Sequence, residues 1–237
     1  MVTFDYQPLC ILYIKKNFFC IYKIFVLHYS KLVDRKKYIL EQFQRHNITD
    51  YEFIEKFDKD EITNDESNLF DTNYKKSTMS LHLKHNYVYK LISQNYEHAL
   101  ILEDDVILCN NFTNILNTYM TKLPSNYDML FIGDGSNLHI DKNRLIPNTY
   151  IYEKCLYPTQ LEGNGASRCS DSYIISKKCA INLCDYINRL TSKISLSIDW
   201  WLNEAARDNN FKVYWAEPTI VTQGTQNGLF QTSHGVL

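Results

Sequence analysis

No glycine occurs in this chain before Gly133, and only seven occur in its 237 residues. That shortage excludes two common phosphate-binding devices. A P-loop needs GxxxxGK[ST], which is absent. A dinucleotide fold of the Rossmann kind needs a glycine-rich turn after its first strand, and the first half of the chain has no glycine to build one. Any phosphate bound here is therefore held by something other than a glycine cradle. Cysteine is also uninformative as a scaffold. There are seven, an odd number, with no CxxC pair. Neither a zinc site nor a secreted disulfide framework is signalled. Reduced thiols in a cytosol-like compartment are expected.

Long apolar runs are missing too. The aromatic N-terminal stretch "PLCILYIKKNFFCIYKIFVLHY" is broken by Lys15, Lys16, Asn17 and Lys23. A membrane span needs ~18 or more uninterrupted apolar residues, so none is expected. The stretch also lacks the basic start and small-residue cleavage site of a signal peptide. No long basic stripe exists and the net charge is −2, which argues against a nucleic-acid partner.

What is present suits a folded α/β domain. Hydrophobic residues make up 45%, enough for a core without disulfide staples. Apolar, β-branched runs at 21–29, 51–57, 98–102, 127–133, 171–176 and 211–218 read as strands. Between them, 30–48, 78–94, 110–123, 177–190 and 198–210 carry helical periodicity, with Ser30 as the expected N-cap of the first. Residues 134–170 read as irregular, and 58–68 as an acidic loop. The alternation predicts one α/β domain over 1–237: an open, mostly parallel twisted sheet with helices on both faces. Residues 1–20 are an extension and 219–237 a tail or lid.

Three acids interrupt the most apolar strand: "HALILEDDVIL", residues 98–108. Side chains alternate along a strand, so Glu103 and Asp105 face one way and Asp104 the other unless the chain turns there. Ligands of open α/β sheets bind beyond the carboxyl ends of the strands, where these acids lie. Left uncompensated, buried carboxylates cost several kcal/mol each. A hard cation reverses that penalty. Mg²⁺ or Mn²⁺ takes one or two carboxylates together with substrate phosphates. The bland alternative is a solvated strand end.

The motif and its flanks resemble glycosyltransferase family 25, the lipooligosaccharide and procollagen galactosyltransferases. "VLHYSKLVDRKKYI" (26–39) is similar to the family's first strand and places Arg35 on the family arginine. "LKHNYVYKLI" (83–92) is similar to a helix that carries a Ser-His pair and an aromatic. His85 and Tyr89 match it, and Lys84 stands where the serine is usual. "LPSNYDMLFIG", "SDSYIISKKCAINL", "SIDWWL" and "VYWAEPTIVTQG" follow in family order, to about residue 233. The bias toward Asn, Ile, Lys and Tyr resembles the proteins of large DNA viruses.

The resemblance implies a GT-A-like fold and inverting transfer from a UDP-sugar, commonly UDP-galactose, to a glycan or collagen-like acceptor. It implies that Asp105, with Glu103 or Asp104, ligates Mn²⁺ (or Mg²⁺) on the donor diphosphate, with another of the three on ribose. Arg35 and His85 would bind the donor, and His234 is a further possible metal ligand. An inverting reaction needs a general base on the acceptor side. Asp199 is the candidate, with Trp200 and Trp201 beside it to stack on sugar; Asp171 and Glu217 are in reserve. Two rivals differ in class. A phosphoryl-accepting receiver domain also ends a buried strand in acids, but it needs a late Lys-Pro, and none occurs. A sugar-nucleotide- or carbohydrate-binding protein with the same fold but no activity is the other.

Overall fold

The computed structural model describes residues 23–135, 137–154 and 168–231. Its strands are β1 (Ile24–Leu27), β2 (Tyr51–Ile54), β3 (His98–Glu103), β4 (Val106–Leu108), β5 (Met129–Phe131), β6 (Ile151–Glu153), β7 (Ser172–Ser176), β8 (Val213–Ala216) and β9 (Val221–Gln223). Its α-helices are α1 (Val33–Arg45), α2 (Asn64–Ser67), α3 (Lys76–Asn95), α4 (Phe112–Lys122), α5 (Lys177–Asn188) and α6 (Ile198–Asp208).

Seven strands form one sheet in the order β2-β1-β3-β7-β5-β8-β6. β1 runs parallel to β2 and β3, and β5 runs parallel to β8. β7 is antiparallel to both β3 and β5, and β6 is antiparallel to β8. Five strands thus share a direction, and β6 and β7 oppose them. The open, mostly parallel α/β sheet predicted from the alternation is present.

Both faces of the central strands β1, β3, β7, β5 and β8 are buried, which explains why they read as continuous apolar runs. Phe25, Leu27, Ala99, Ile101, Tyr173, Ile175 and Trp215 pack on one face against α3, α5 and α6. Ile24, Val26, Leu100, Leu102, Ile174 and Ala216 pack on the other against α1 and α4. Alternate residues of each strand feed opposite cores, as the two-residue repeat of a strand requires.

Several boundaries differ from those predicted, each for a local reason. Leu32, not Ser30, holds the N-cap position of α1, because the Ser30 hydroxyl donates to Asp58 instead. β6 lies inside the stretch predicted as irregular; it is a three-residue, partly exposed edge strand, too short to show a repeat. Within 219–237, residues Val221–Gln223 form β9, which pairs antiparallel with β4. Gln42 of α1 secures that small sheet, donating to the Val106 carbonyl at 2.9 Å and accepting from the Leu108 amide at 2.7 Å.

Candidate active site

β3 ends at Glu103, the chain turns at Asp104 and Asp105, and β4 resumes in the second sheet. The turn delivers all three acids to one cavity of about 660 Å³. Its walls come from the segments after β1 (His28, Tyr29, Lys31, Leu32) and β2 (Lys59, Asp60), from α3 (Ser77, Ser80, Lys84) and from the C-terminal segment (Gln223, Thr225, Gln226). The carboxyl ends of two adjacent parallel strands, β1 and β3, thus form its floor, as in other open α/β sheets.

The three acids differ in environment. Asp104 is fully engaged. Its Oδ1 accepts from Arg35 at 2.7 Å, and its Oδ2 meets His28 Nδ1 at 2.9 Å and the Tyr29 amide at 3.2 Å. Burial alone would raise this carboxyl, but the His28 hydrogen bond and the Arg35 charge outweigh burial and hold it below its ordinary value. Asp104 therefore anchors the turn to β1 and α1.

Asp105 is only half satisfied. Thr225 donates to its Oδ2 at 2.5 Å, while its Oδ1 is buried without a hydrogen-bond partner among the described residues. Burial pushes its carboxyl up, against the Thr225 bond. Glu103 accepts from Ser170 at 2.9 Å. Burial raises its carboxyl well above the ordinary range, and the negative charges of Asp105 and Asp171 raise it further. Asp171 lies behind them, buried, with its Oδ1 also unpartnered among the described residues. Its carboxyl is pushed up to about 7 by burial, despite a hydrogen bond from Ser172, and by the charges of Asp105 and Asp134. Gly133 is required beside it, since a Cβ there would collide with the Asp171 carboxylate and the Ser172 hydroxyl.

These carboxylates fit a hard divalent cation. A buried, unpartnered carboxylate oxygen facing a second acid is costly without positive charge. Among the described residues no group of three or more His, Cys, Asp or Glu is arranged to hold a metal ion. Glu103 and Asp105 line the cavity together, and two carboxylates are as many as Mg²⁺ or Mn²⁺ would take if phosphates completed its shell.

The other predicted site residues are scattered. Arg35 lines the cavity, but its guanidinium is taken up by Asp104 and by the Gln231 carbonyl at 2.6 Å, and it lies under the Phe230 ring. His85 is fully buried and does not line the cavity, contrary to the expectation that it meets the donor. Its Nδ1 meets the Tyr173 hydroxyl at 2.8 Å, and Tyr89 meets the same hydroxyl at 2.7 Å. A core polar trio accounts for that pattern of residues. Asp199 is half-buried in the first turn of α6, beside Tyr74 and outside the cavity lining. Trp201 is 4% exposed and packs on His82 and Tyr186, so it is core; Trp200 is 42% exposed. Glu217 is occupied by the buried Arg168 and by the Ile140 amide. His234 lies outside the described residues.

Three partners of the acids escaped the sequence reading: His28, Ser170 and Thr225. His28 sits at the carboxyl end of β1, and the rule that sites gather at strand ends would have found it. Thr225 meets Asp105 across 120 residues, with no local pattern to mark it.

The family profile of glycosyltransferase family 25 (LPS biosynthesis protein) matches residues 21–200, and the chain belongs to that family. It is a glycosyltransferase family domain. R655 of Acanthamoeba polyphaga mimivirus, named as a glycosyltransferase, is 29% identical over 119 residues, which is 47% of this chain and 37% of that protein. The chain thus spans well under half the length of this viral relative. Solved structures similar to it are glycosyltransferases at low identity. A Drosophila β1,4-galactosyltransferase 7 in complex with manganese, UDP-Gal and xylobiose is 11% identical at TM-score 0.42, covering 83% of this chain and 64% of that one. A glycosyltransferase involved in glycosylation of the major capsid of PBCV-1 is 9% identical at TM-score 0.45, covering 85% and 92%.

Proposed function

We propose that this glycosyltransferase is a metal-dependent, inverting hexosyltransferase that takes a hexose, galactose foremost, from a UDP-sugar and passes it to a hydroxyl of a glycan or a collagen-like protein. The observation that carries this reading is Asp105, whose buried Oδ1 has no hydrogen-bond partner among the described residues, beside the raised carboxyl of Glu103. Those two residues would hold Mn²⁺ or Mg²⁺. When bound, the cation supplies Lewis-acid stabilisation of charge on the leaving diphosphate. The preference for galactose and for these acceptors rests on the family resemblance.

The chain's own groups have separable tasks. Arg35 and His28 fix Asp104, and Asp104 fixes the turn, so Asp105 and Glu103 are aimed before the donor arrives. Thr225 and the Gly224 amide, which bonds the Asp105 carbonyl at 2.6 Å, hold the turn from the C-terminal side. Ser170 orients Glu103. On the acceptor side Asp199 takes the hydroxyl proton, from its place beside the segment leading into α3.

The test is a screen of UDP-sugars with and without Mn²⁺, reading both binding and UDP release. UDP-galactose should give the fastest release, and chelation should abolish it. Absence of both binding and release removes the reading. Binding without turnover assigns the chain instead to inactive sugar-nucleotide binders of the same fold.

A further inference from the structure

Lys84 is an ammonium in a costly place. It is 3% exposed, on α3, and lines the cavity. All three of its protons have acceptors: the Ile54 carbonyl at 3.0 Å, the Lys56 carbonyl at 2.9 Å and Asp58 Oδ1 at 2.7 Å. Asp58 is 3% exposed, and its other oxygen accepts from the Ser30 amide at 3.0 Å and the Ser30 hydroxyl at 2.5 Å. One buried ion pair therefore ties together α3, the segment after β2 and the turn after β1.

Those two segments supply a large part of the cavity wall. Tyr29 and Lys31 flank Ser30, and Lys59 and Asp60 follow Asp58. The segments also touch through Tyr29 and Lys31 on Asp60, but those contacts are exposed, and exposed pairs contribute little. A serine hydroxyl at position 84 has one proton and a short reach, where three acceptors converge.

We infer that Lys84 is a positioning residue for donor binding: through Asp58 it clamps the segments after β1 and β2 into the shape that receives the UDP-sugar. The inference rests on the reading of the cavity as the donor site. Loops ordered in advance spare the ligand their ordering cost, so the clamp acts on affinity. Its hydrogen bonds go to Ile54, Lys56 and Asp58 and not to the three acids, so its loss is expected to fall on binding rather than on the chemical step. A rival role, direct contact between the ammonium and donor phosphate, requires a free proton on Nζ, and all three are engaged.

The experiment compares wild type, Lys84→Met and Asp58→Asn. For each, kcat and KM for UDP-galactose with Mn²⁺ are measured, together with amide hydrogen exchange of residues 28–31 and 55–60 without donor. Both variants should raise the donor KM about tenfold while kcat stays within about threefold, the mark of lost binding rather than lost chemistry. Both should speed exchange in the two segments. Exchange unchanged in either variant overturns the clamp. Asp58→Asn with wild-type or tighter donor binding also overturns it, since that result means an ammonium released to the phosphate. If Lys84→Met does not fold, Asp58→Asn and Ser30→Ala carry the comparison. The exchange measurement needs no substrate, so a wild type that fails to turn over UDP-sugars defeats the proposed function and leaves the clamp to be decided on exchange.

Discussion

Arg35 and Asp104, 69 residues apart in sequence, meet at 2.7 Å with side chains 7% and 9% exposed. The pair couples α1 to the turn that carries the acids. Removing one partner of a buried pair strands the other charge, at a cost of about 3–5 kcal/mol. His28 remains to hold Asp104, so the lower end applies here. Arg35→Met should therefore destabilise the protein by about 3 kcal/mol in urea unfolding. It should also weaken donor binding, because the turn loses its anchor. A variant of wild-type stability would mean that His28 alone suffices.

Asp105 should be the most sensitive of the three acids to metal. Asp105→Ala is expected to abolish Mn²⁺-dependent UDP binding, measured by calorimetry, with little loss of folding, since it relieves repulsion at Glu103. Thr225→Val removes the hydrogen bond that its hydroxyl donates to Asp105 Oδ2. One such bond to a charged group is worth about 1.5–3 kcal/mol. Because it stabilises the ionised form, its loss should weaken Mn²⁺ affinity roughly tenfold or more at pH 7. Unaltered Mn²⁺ titration in Asp105→Ala would take the metal away from this residue.

How far the sequence carried depended on the range of each interaction. Helices and strands with an apolar repeat were legible, because the repeat states which side is buried. The acids were legible because charges in a buried strand stand out against their neighbours. Partnership was not. Nothing near Asp104 marks it as the acid taken by Arg35, or Asp105 as the one left open; the turn after Glu103 decides that. His85 misled for a related reason. A histidine beside an aromatic one helical turn on suits a binding site and a core hydrogen-bond trio equally well, and Tyr173 makes it the second. Trp200 and Trp201 look alike in sequence, yet successive positions on a helix point about 100° apart, so one is core and the other is not.

That difference separates the effects of the two tryptophans. Trp201→Ala empties a packed site against His82 and Tyr186 and should cost about 3–5 kcal/mol of stability. Trp200→Ala, at an exposed position, should change stability by less than about 0.5 kcal/mol. If Trp200 stacks on acceptor sugar beside Asp199, its loss raises the acceptor KM alone. Thermal melts and acceptor kinetics on both variants distinguish these outcomes.

Asp199→Asn tests the base. It keeps shape and removes the proton acceptor, so UDP-sugar affinity should hold while kcat falls by about 10²–10⁴-fold. Wild-type kcat would transfer the role to another carboxylate. Asp171 is poorly suited to it, being 1% exposed where Asp199 is half-buried.

Stability below neutral pH should depend on His82. Its ring is fully buried between Phe70 and Trp201, and neither nitrogen has a hydrogen-bond partner among the described residues. Burial lowers its pKa to about 3 from 6.5. The unfolded chain therefore takes up a proton as pH falls through 6.5, while the folded chain does not until about 3. The neutral ring's contribution is complete above 6.5 and declines steadily below it. At pH 4.5 the loss from this one group is about 2–3 kcal/mol relative to pH 7. Asp171 acts in the opposite sense, since its raised value favours folding below the ordinary carboxylate range and that contribution fades as pH rises through about 7. Comparison with His82→Phe isolates the histidine, because Asp171 is common to both proteins. Urea unfolding at pH 7 and pH 4.5 should show the phenylalanine variant losing about 2–3 kcal/mol less than wild type over that interval. Equal losses in the two proteins would mean that His82 is protonated in the fold and has found a partner.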